Sequence, residues 1–261
     1  MNFLERSETV NYEIIFAVAC STGKIRRINQ DNFLCCGKYL ASENNGLEKT
    51  ESGKIGSGQN PIFAVFDGMG GGQYGESAAH IAAETLYNLS KDGQQSDIRQ
   101  FFINSCMQIN NNIASYAELE CAGCVGTTAA MLIFGDDTVY TCNIGDSKIY
   151  RYCGEELTQI SKDHVISLFN RKQPALYQFL GMPEKDFLNP HIACEDYKSK
   201  DIYLICSDGL TDMLSEEKIK SILADNTDIP ACTGILLENA LLEGGKDNIT
   251  LILCEIKDKE T

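Results

Sequence analysis

Short apolar runs bounded by polar or glycine-containing turns recur along the chain and predict β-strands. The clearest runs lie at residues 12–20, 63–67, 201–208 and 249–256, and each is rich in β-branched or aromatic residues. None approaches the roughly 20 consecutive apolar residues of a membrane-spanning helix. A polar connection joins the first run to a second short run at 33–36, so we expect these two strands to form a hairpin.

Apolar residues at helical spacing predict two neighbouring amphipathic helices, over residues 75–89 and 97–119. Two further helices are expected in the last third of the chain, one after Asp208 and one at about 231–242. Between these pairs, residues 126–160 return to the two-residue period of strands and predict an antiparallel meander.

Two segments lack a clear period. Residues 37–60 are polar and predict an exposed loop, whereas residues 161–180 are mixed and, with Pro174 as a breaker, predict short helical pieces within a small flap at about 161–190. No Pro-rich or Ser-rich linker divides the chain. We therefore predict one α+β domain over residues 1–261, with two antiparallel sheets in a β-sandwich flanked by pairs of helices.

The net negative charge of the chain limits the classes of function that it can have. The chain has 37 acidic and 22 basic residues in 261, a net charge of −15, and this balance excludes a typical nucleic-acid-binding protein, which needs a Lys- and Arg-rich surface. The N-terminal sequence has no basic region followed by an apolar core, so no secretory signal is expected. We predict a cytoplasmic protein that does not contact a membrane.

The twelve cysteines do not resemble a disulfide framework, because several lie inside apolar strand-like runs and are typical of small core residues in a reducing compartment. Cys121 and Cys124 form one CxxC pair without a second pair at zinc-finger spacing. We do not assign a metal or redox role to them.

Four aspartates, Asp31, Asp67, Asp208 and Asp247, each lie where a predicted strand meets a turn that contains Gly or Asn. An isolated Asp-Gly after a strand is more often only a turn. Four such carboxylates at one end of a sandwich would need cations, and oxygen-only ligands favour Mg²⁺ or Mn²⁺, with Ca²⁺ left open. The three histidines, His80, His164 and His191, show no mutual spacing of metal ligands.

Arg26 and Arg27 precede Asp31 by five and four residues. An arginine beside divalent cations is a phosphate-binding arrangement, because the guanidinium fork matches two phosphate oxygens. Surface ion pairs explain the same two residues equally well from spacing alone.

An ordered set of motifs over residues 16–256 resembles the metal-dependent serine/threonine protein phosphatases of type 2C, the PPM family, and in particular its bacterial members. The motifs are GKIRRINQDN at 23–32, FDGMGG at 66–71, GES at 75–77, GTT at 126–128, IGDSKIY at 144–150, SKDH at 161–164, CSDGLTD at 206–212 and KDNIT at 246–250. Each motif is weak alone, but their order is specific.

The resemblance implies a four-layer αββα sandwich with a binuclear Mn²⁺ or Mg²⁺ site at one end. By motif position, Asp67 would bridge the two ions, Asp208 and Asp247 would complete the first, and Asp31 with the Gly68 carbonyl would hold the second. Two more roles follow from the resemblance: Arg26 would bind the substrate phosphate, and Asp146 with Asp208 matches the positions of a third, weaker metal.

The activity implied is hydrolysis of phosphoserine and phosphothreonine by attack of a metal-bridging water or hydroxide on phosphorus, with Arg26 and Asp67 as catalytic residues. The expected partners are phosphorylated proteins, targets of a Ser/Thr kinase, and the expected state is a monomer. A phosphatase for one dedicated regulator is an enzymatic alternative. A pseudophosphatase that binds a partner without turnover is the alternative from another class.

The sequence departs from the family pattern at four positions. Gln30 stands where many members have Glu, Ser21 replaces an Asp common in bacterial relatives, Met69 stands where eukaryotic members often have a histidine, and Gly72 stands where His is usual. Met69 is common in bacterial members, and no general acid is evident. The flap is also short for the family.

Overall fold

The structure is a computed structural model that describes residues 12–69, 74–91, 97–167, 174–183, 188–225 and 228–259. Its first antiparallel sheet contains, from edge to edge, β3 (Glu51–Gly56), β1 (Tyr12–Ser21), β14 (Ile249–Asp258), β13 (Ile202–Cys206), β8 (Lys148–Cys153) and β9 (Glu156–Gln159). The second contains β12 (His191–Asp196), β7 (Thr138–Ile144), β6 (Ala129–Phe134), β4 (Ile62–Met69) and β2 (Asp31–Cys35), and β5 (Gly126–Thr127) pairs with the end of β4.

Helices cover the outer face of each sheet. The segments are α1 (Gly75–Ser90), α2 (Ile98–Leu119), α3 (Asp208–Thr211), α4 (Glu216–Asp225) and α5 (Ile229–Leu242). The helix predictions at 75–89, 97–119 and 231–242 are confirmed, and Asp97 caps α2 by accepting a hydrogen bond from the Gln100 N–H. None of the described helices is long and apolar enough to cross a membrane.

Three buried apolar clusters separate the four layers. Phe66 and Phe102 belong to the cluster between the second sheet and helices α1 and α2. Phe63 and Tyr203 belong to the cluster between the sheets, and Leu236 belongs to the one beneath α3 to α5. Because each sheet is covered on both faces, its central strands are apolar throughout rather than alternating. The predicted α+β sandwich flanked by helices is confirmed.

The predicted hairpin between the first two strands is wrong. β1 pairs with β14 and β3 in the first sheet, whereas β2 pairs with β4 in the second. Val18 of β1 and Phe33 of β2 both enter the cluster between the sheets, so these strands face each other across the sandwich. The connection over residues 22–30 is long enough to cross the roughly 10 Å between packed sheets.

The segment 37–60 is not only an exposed loop, because it contains β3 at the edge of the first sheet. An edge strand keeps one face and one backbone edge towards solvent, which explains its polar sequence. Gly53 of β3 lies opposite Phe16 of β1, where a Cβ atom would clash with the ring.

The predicted meander over 126–160 is also wrong in its middle. β6 with β7 and β8 with β9 are hairpins, but the chain changes sheets between β7 and β8 at Gly145, where φ is +98°. In the described part of 161–180 there is no helix. That segment instead forms two short paired strands, β10 (Val165–Ile166) and β11 (Ala175–Leu176).

Candidate metal centre and phosphate site

The two-residue period of the strands brings the predicted site residues to one end of the layer between the sheets. In β4, Phe63 and Val65 point into this layer, so Asp67 shares their face. In β2, Phe33 and Cys35 point the same way, and Asp31 continues that row. Both carboxylates therefore lie where the apolar layer ends.

Cross-strand register pairs the two carboxylates directly, because Asp31 of β2 lies opposite Asp67 of β4. Ser207, at the end of β13 in the other sheet, donates from Oγ to Asp31 Oδ2 at 2.8 Å. The same Oγ accepts the Thr250 N–H at 3.0 Å. This serine therefore links the two sheets at the site.

Thr127 and Thr128 fix the backbone of Asp67. The Thr128 N–H and the Thr127 Oγ1 both donate to the Asp67 carbonyl at 2.9 Å, and Asp67 N–H donates to Thr128 Oγ1 at 3.1 Å. Thr128 Oγ1 is also 2.6 Å from Ser147 Oγ, next to Asp146. The GTT and IGDS motifs thus meet beside the FDG motif.

Asp208 begins α3 directly after β13, and Asp212 follows one helical turn later. The negative charges of Asp146, Asp212 and Asp247 all act on Asp208. Asp212 is a further carboxylate of the site beyond the predicted ones, and its spacing of four residues from Asp208 is the sequence signal for it.

Asn248 holds the connection over residues 22–30, which carries Arg26, next to Asp247. Its Oδ1 accepts the Gln30 N–H at 2.8 Å, and its Nδ2 donates to the Thr22 and Ile28 carbonyls at 2.9 and 3.0 Å. No role for this buried asparagine follows from local sequence pattern. Its hydrogen bonds fix the loop that carries Arg26.

Arg26 Nη2 lies 2.6 Å from Asp247 Oδ2, and the two side chains are 52% and 34% exposed. Of the two interpretations of Arg26, the structure therefore contains the ion pair. Exposure of both partners leaves the guanidinium free to turn towards a ligand at small energetic cost. Arg27 is exposed, and no ion pair involves it among the described residues.

The close carboxylates disfavour one another's charge. Burial, reinforced by the charges of Asp208 and Asp247, raises the pKa of Asp31 to about 7. Burial and the charges of Asp146 and Asp212 raise the pKa of Asp208 to about 7 as well. Burial and three neighbouring carboxylates, Asp208, Asp31 and Asp146, hold the pKa of Asp67 well above its usual range. A bound cation would reverse this repulsion.

The carboxylates are gathered but not preassembled around an ion. In the described part of the chain, no three Asp, Glu, His or Cys side chains already form a metal-binding cluster. Arg26 engages Asp247, and Ser207 engages Asp31. The all-oxygen donor set and the mutual repulsion of its members fit Mn²⁺ or Mg²⁺.

Gly68 occupies a position that admits no side chain, since a Cβ atom there would overlap the carbonyl oxygens of Gly75 and Gln30. Its N–H donates to the Gln30 carbonyl at 3.0 Å. The Gln30 side chain donates to Glu76 Oε2 at 3.1 Å, where the Glu usual in the family would meet a like charge. Gly72 lies outside the described residues.

Comparison with known proteins identifies the family. The model of the family described as protein phosphatase 2C matches residues 52–241, which is most of the chain. The chain belongs to the protein phosphatase 2C family. This 2C-family chain is 28% identical over 250 residues to the serine/threonine phosphatase stp of Listeria monocytogenes, covering 89% of this chain and 92% of that protein.

Two further relatives extend this result. The protein phosphatase PhpP of Streptococcus pneumoniae is 29% identical to this 2C-family chain over 214 residues, which cover 76% of this chain and 87% of PhpP. The solved catalytic domain of the serine/threonine protein phosphatase PstP, in complex with two manganese ions, superposes with a TM-score of 0.76 at 25% identity. It covers 95% of this chain and all of that domain.

Proposed function

We propose that this chain hydrolyses phosphoserine and phosphothreonine esters in proteins, at the end of its sandwich where the four aspartates meet. One observation carries the proposal: Asp31 and Asp67 face each other across two strands, within electrostatic reach of Asp208. Arg26 stands at the rim of this group, on Asp247. Carboxylate oxygens that can bind cations, beside a partly exposed guanidinium that can bind phosphate, suit metal-assisted phosphoryl transfer.

The proposed ligands follow the positions of the carboxylates. Asp67, with Asp208 and Asp247, would hold one divalent cation, and Asp67, with Asp31 and the Gly68 carbonyl, would hold a second. Asp146, Asp208 and Asp212 interact electrostatically and would hold a third. Bound Mn²⁺ or Mg²⁺ supplies Lewis-acid stabilisation of the phosphoryl oxygens and lowers the pKa of water.

The protein's own groups bind and orient the substrate. Arg26 would exchange one partner for another, turning its fork from Asp247 to two oxygens of the phosphate. Because its side chain is half exposed, this exchange leaves no buried charge unpaired. Asn248 keeps the loop that carries Arg26 at a fixed distance from Asp247 through its three hydrogen bonds.

Substrate and setting are further parts of the proposal. The names of the relatives support phosphorylated proteins as substrates, including targets of a Ser/Thr kinase. All twelve cysteines are free, which supports a reducing, cytoplasmic setting. We further propose a single phosphatase domain over residues 1–261, with a short flap at about 161–190, that acts as a monomer.

The direct test is release of phosphate from a phosphothreonine peptide and hydrolysis of p-nitrophenyl phosphate, each with Mn²⁺, with Mg²⁺ or with EDTA. We expect turnover with either cation and none with EDTA. Folded protein that turns over neither substrate with any cation would refute the enzymatic function. That outcome would favour the alternative of a pseudophosphatase that only binds a partner.

A further inference from the structure

A polar cavity of about 300 Å³ lies beside the second sheet, and none of the four aspartates lines it. It is bordered by the start of α2, the residues after β9, the end of β11 and the start of β12. Its lining is dominated by groups that donate hydrogen bonds or carry positive charge: Arg99, Lys162, His164, Tyr177, Asn189 and His191.

No Asp or Glu is among the described residues that line this cavity, in a chain whose net charge is −15. Asp163 lies between Lys162 and His164 in sequence, but its carboxylate accepts hydrogen bonds from Lys148 and from Gln159. The local charge of the cavity is therefore opposite to that of the whole chain.

His164 lines the cavity with an imidazole of defined tautomer. It is 4% exposed, and its Nδ1 accepts the Gly145 N–H at 3.2 Å. A backbone N–H can only donate, so Nδ1 is the unprotonated nitrogen and the hydrogen lies on Nε2. The ring is held edge-on to Tyr177, with centroids 5.5 Å apart, so its direction is fixed.

Two exposed basic groups of the lining, Lys162 and Arg99, have side-chain donors that the protein does not fully use. Among the described residues, the buried Nδ1 of His191 has no hydrogen-bond partner, and Lys162 forms no ion pair in that part of the chain. Arg99 makes one long hydrogen bond, 3.3 Å, to the Ile192 carbonyl. The pKa values of both histidines are lowered by burial, and the nearby Lys162 charge adds to this effect. A bound anion would relieve that repulsion.

The cavity is joined to the candidate metal centre by a short piece of backbone. The Asn143 side chain donates from Nδ2 to the Lys162 carbonyl at 2.7 Å and accepts the Lys162 N–H at Oδ1 at 3.1 Å. Asn143 is also paired with His191 across β7 and β12. Asp146 follows three residues later, and three residues span at most about 11 Å. Asn143 and Asp146 are therefore no more than about 11 Å apart along the backbone, a span that a short peptide between two phosphorylated residues can cover.

We propose that this cavity binds a phosphate group, supplied either as inorganic phosphate or as a second phosphoryl group on a phosphoprotein docked at the metal centre. The guanidinium fork of Arg99, the Lys162 ammonium and the imidazole donors match the oxygens of a phosphate dianion. The second source rests on the proposed phosphatase function. The first does not.

Binding can be measured without turnover, because the chain has only three histidines. Metal-free protein labelled on the imidazole nitrogens is titrated with inorganic phosphate at fixed pH, and with chloride at equal ionic strength. We expect saturable shifts of His164 and His191 with phosphate alone. His80, in α1 with Nδ1 2.9 Å from the Leu40 carbonyl, is the internal control and should not respond.

Variants locate the site. Lys162→Gln should weaken phosphate binding about tenfold, the effect of losing one charged hydrogen bond. Lys220→Gln removes an exposed lysine of α4 and should leave the titration unchanged. No saturable shift at either histidine, or equal shifts with phosphate and chloride, would overturn the proposal. Circular dichroism of each variant confirms folding.

A second measurement distinguishes the sources. KM is compared for a peptide with two phosphothreonines three residues apart and for the same peptide with one. If the second phosphoryl group occupies the cavity, the doubly phosphorylated peptide has the lower KM, and the Arg99→Gln/Lys162→Gln variant reduces that advantage about tenfold. Histidine shifts without such an advantage assign the cavity to inorganic phosphate. Absence of all turnover refutes the phosphatase function and leaves the titration result intact.

Discussion

The candidate metal centre and the basic cavity both contact the segment 143–147, through Ser147 and through Asn143, and they are built in opposite ways. The metal centre consists of carboxylates at strand ends, held by register and by backbone hydrogen bonds. The basic cavity consists of cationic side chains from a helix, a connection and an edge strand. One site would bind phosphate through cations, the other through the protein's own donors.

The difference shows which charged side chains can be buried in this fold and which must remain exposed to water. Asp31 is 1% exposed, and the charges of Asp208 and Asp247 add to the cost of burying its carboxylate. This charge is therefore stable only if hydrogen bonds or cations compensate. Arg99 and Lys162 remain exposed, where long side chains keep their charge in water. The acidic centre therefore depends on the fold around it more strongly than the cavity does.

The largest expected effect is that of Asp67→Asn on catalysis. Loss of the proposed bridging carboxylate should lower kcat by about a thousandfold or more, because metal stabilisation of the phosphoryl charge is worth several kcal/mol. Phosphate release with Mn²⁺ measures it. Asp136→Asn, on an exposed turn, is the matched control. An unchanged rate would remove Asp67 from the site, and loss of the histidine response in this variant would show that the two regions are not independent.

The next effect is that of the cation on stability. Mn²⁺ at about 100 times its Kd should add about 2.7 kcal/mol to the free energy of unfolding. For a chain of this size, that corresponds to a rise in Tm of roughly 5–10 °C. Thermal unfolding with Mn²⁺ and with EDTA measures the difference. Asp67→Asn should lose most of the rise and Asp136→Asn none of it; equal shifts in all three proteins would contradict the proposed ligand set.

Gly209→Ala tests whether the acidic centre is fixed by close backbone approach. A Cβ atom at Gly209 would overlap the Asn248 carbonyl oxygen, so the substitution must separate α3 from the Asp247 loop. We expect a loss of about 1–3 kcal/mol in the free energy of unfolding in urea. Gly234→Ala, inside α5 with its nearest neighbour 3.7 Å away, should instead gain about 0.5–1 kcal/mol. Similar values for the two would show that the approach is not tight.

The smallest expected effect is that of Arg26→Ala on substrate affinity. Loss of a partly exposed charged contact to phosphate should raise KM about tenfold with little change in kcat. Steady-state kinetics on a phosphothreonine peptide measure both constants. Arg27→Ala is the neighbouring control and should change KM less than twofold. A tenfold effect from Arg27 instead of Arg26 would exchange their roles.

Local sequence pattern predicted the helices and strands better than it predicted which strands pair. The helices α1, α2 and α5 and the strands that carry Asp67 and Asp208 follow from periodicity and turn residues within each segment. The pairing of β1 with β14 joins Val18 to Ile252, and no local signal encodes a contact that distant in sequence. For this reason the hairpin, the meander and the loop at 37–60 were assigned incorrectly.

The residues of the candidate site also fall into those that can be predicted from sequence and those that cannot. Asp31, Asp67, Asp208 and Asp247 stand out in sequence because each follows or precedes a strand beside a Gly or Asn. Ser207 and Asn248 do not stand out, because their contacts come from other segments. Asp212 is signalled only by its spacing of four residues from Asp208. The same holds for the basic cavity, whose members Arg99, Lys162 and His191 are separated by up to 92 positions, 191 − 99.

The α+β class, the positions of the four aspartates at strand ends and the resemblance to the type 2C phosphatases all follow from the sequence alone. Those properties reside in local periodicity, turn chemistry and motif order. The tertiary structure alone decided which strands pair, that Asp31 faces Asp67, that Arg26 lies on Asp247 and that basic side chains from three elements border one cavity. Register and sheet packing set these distances, since they depend on apolar burial summed over the whole chain.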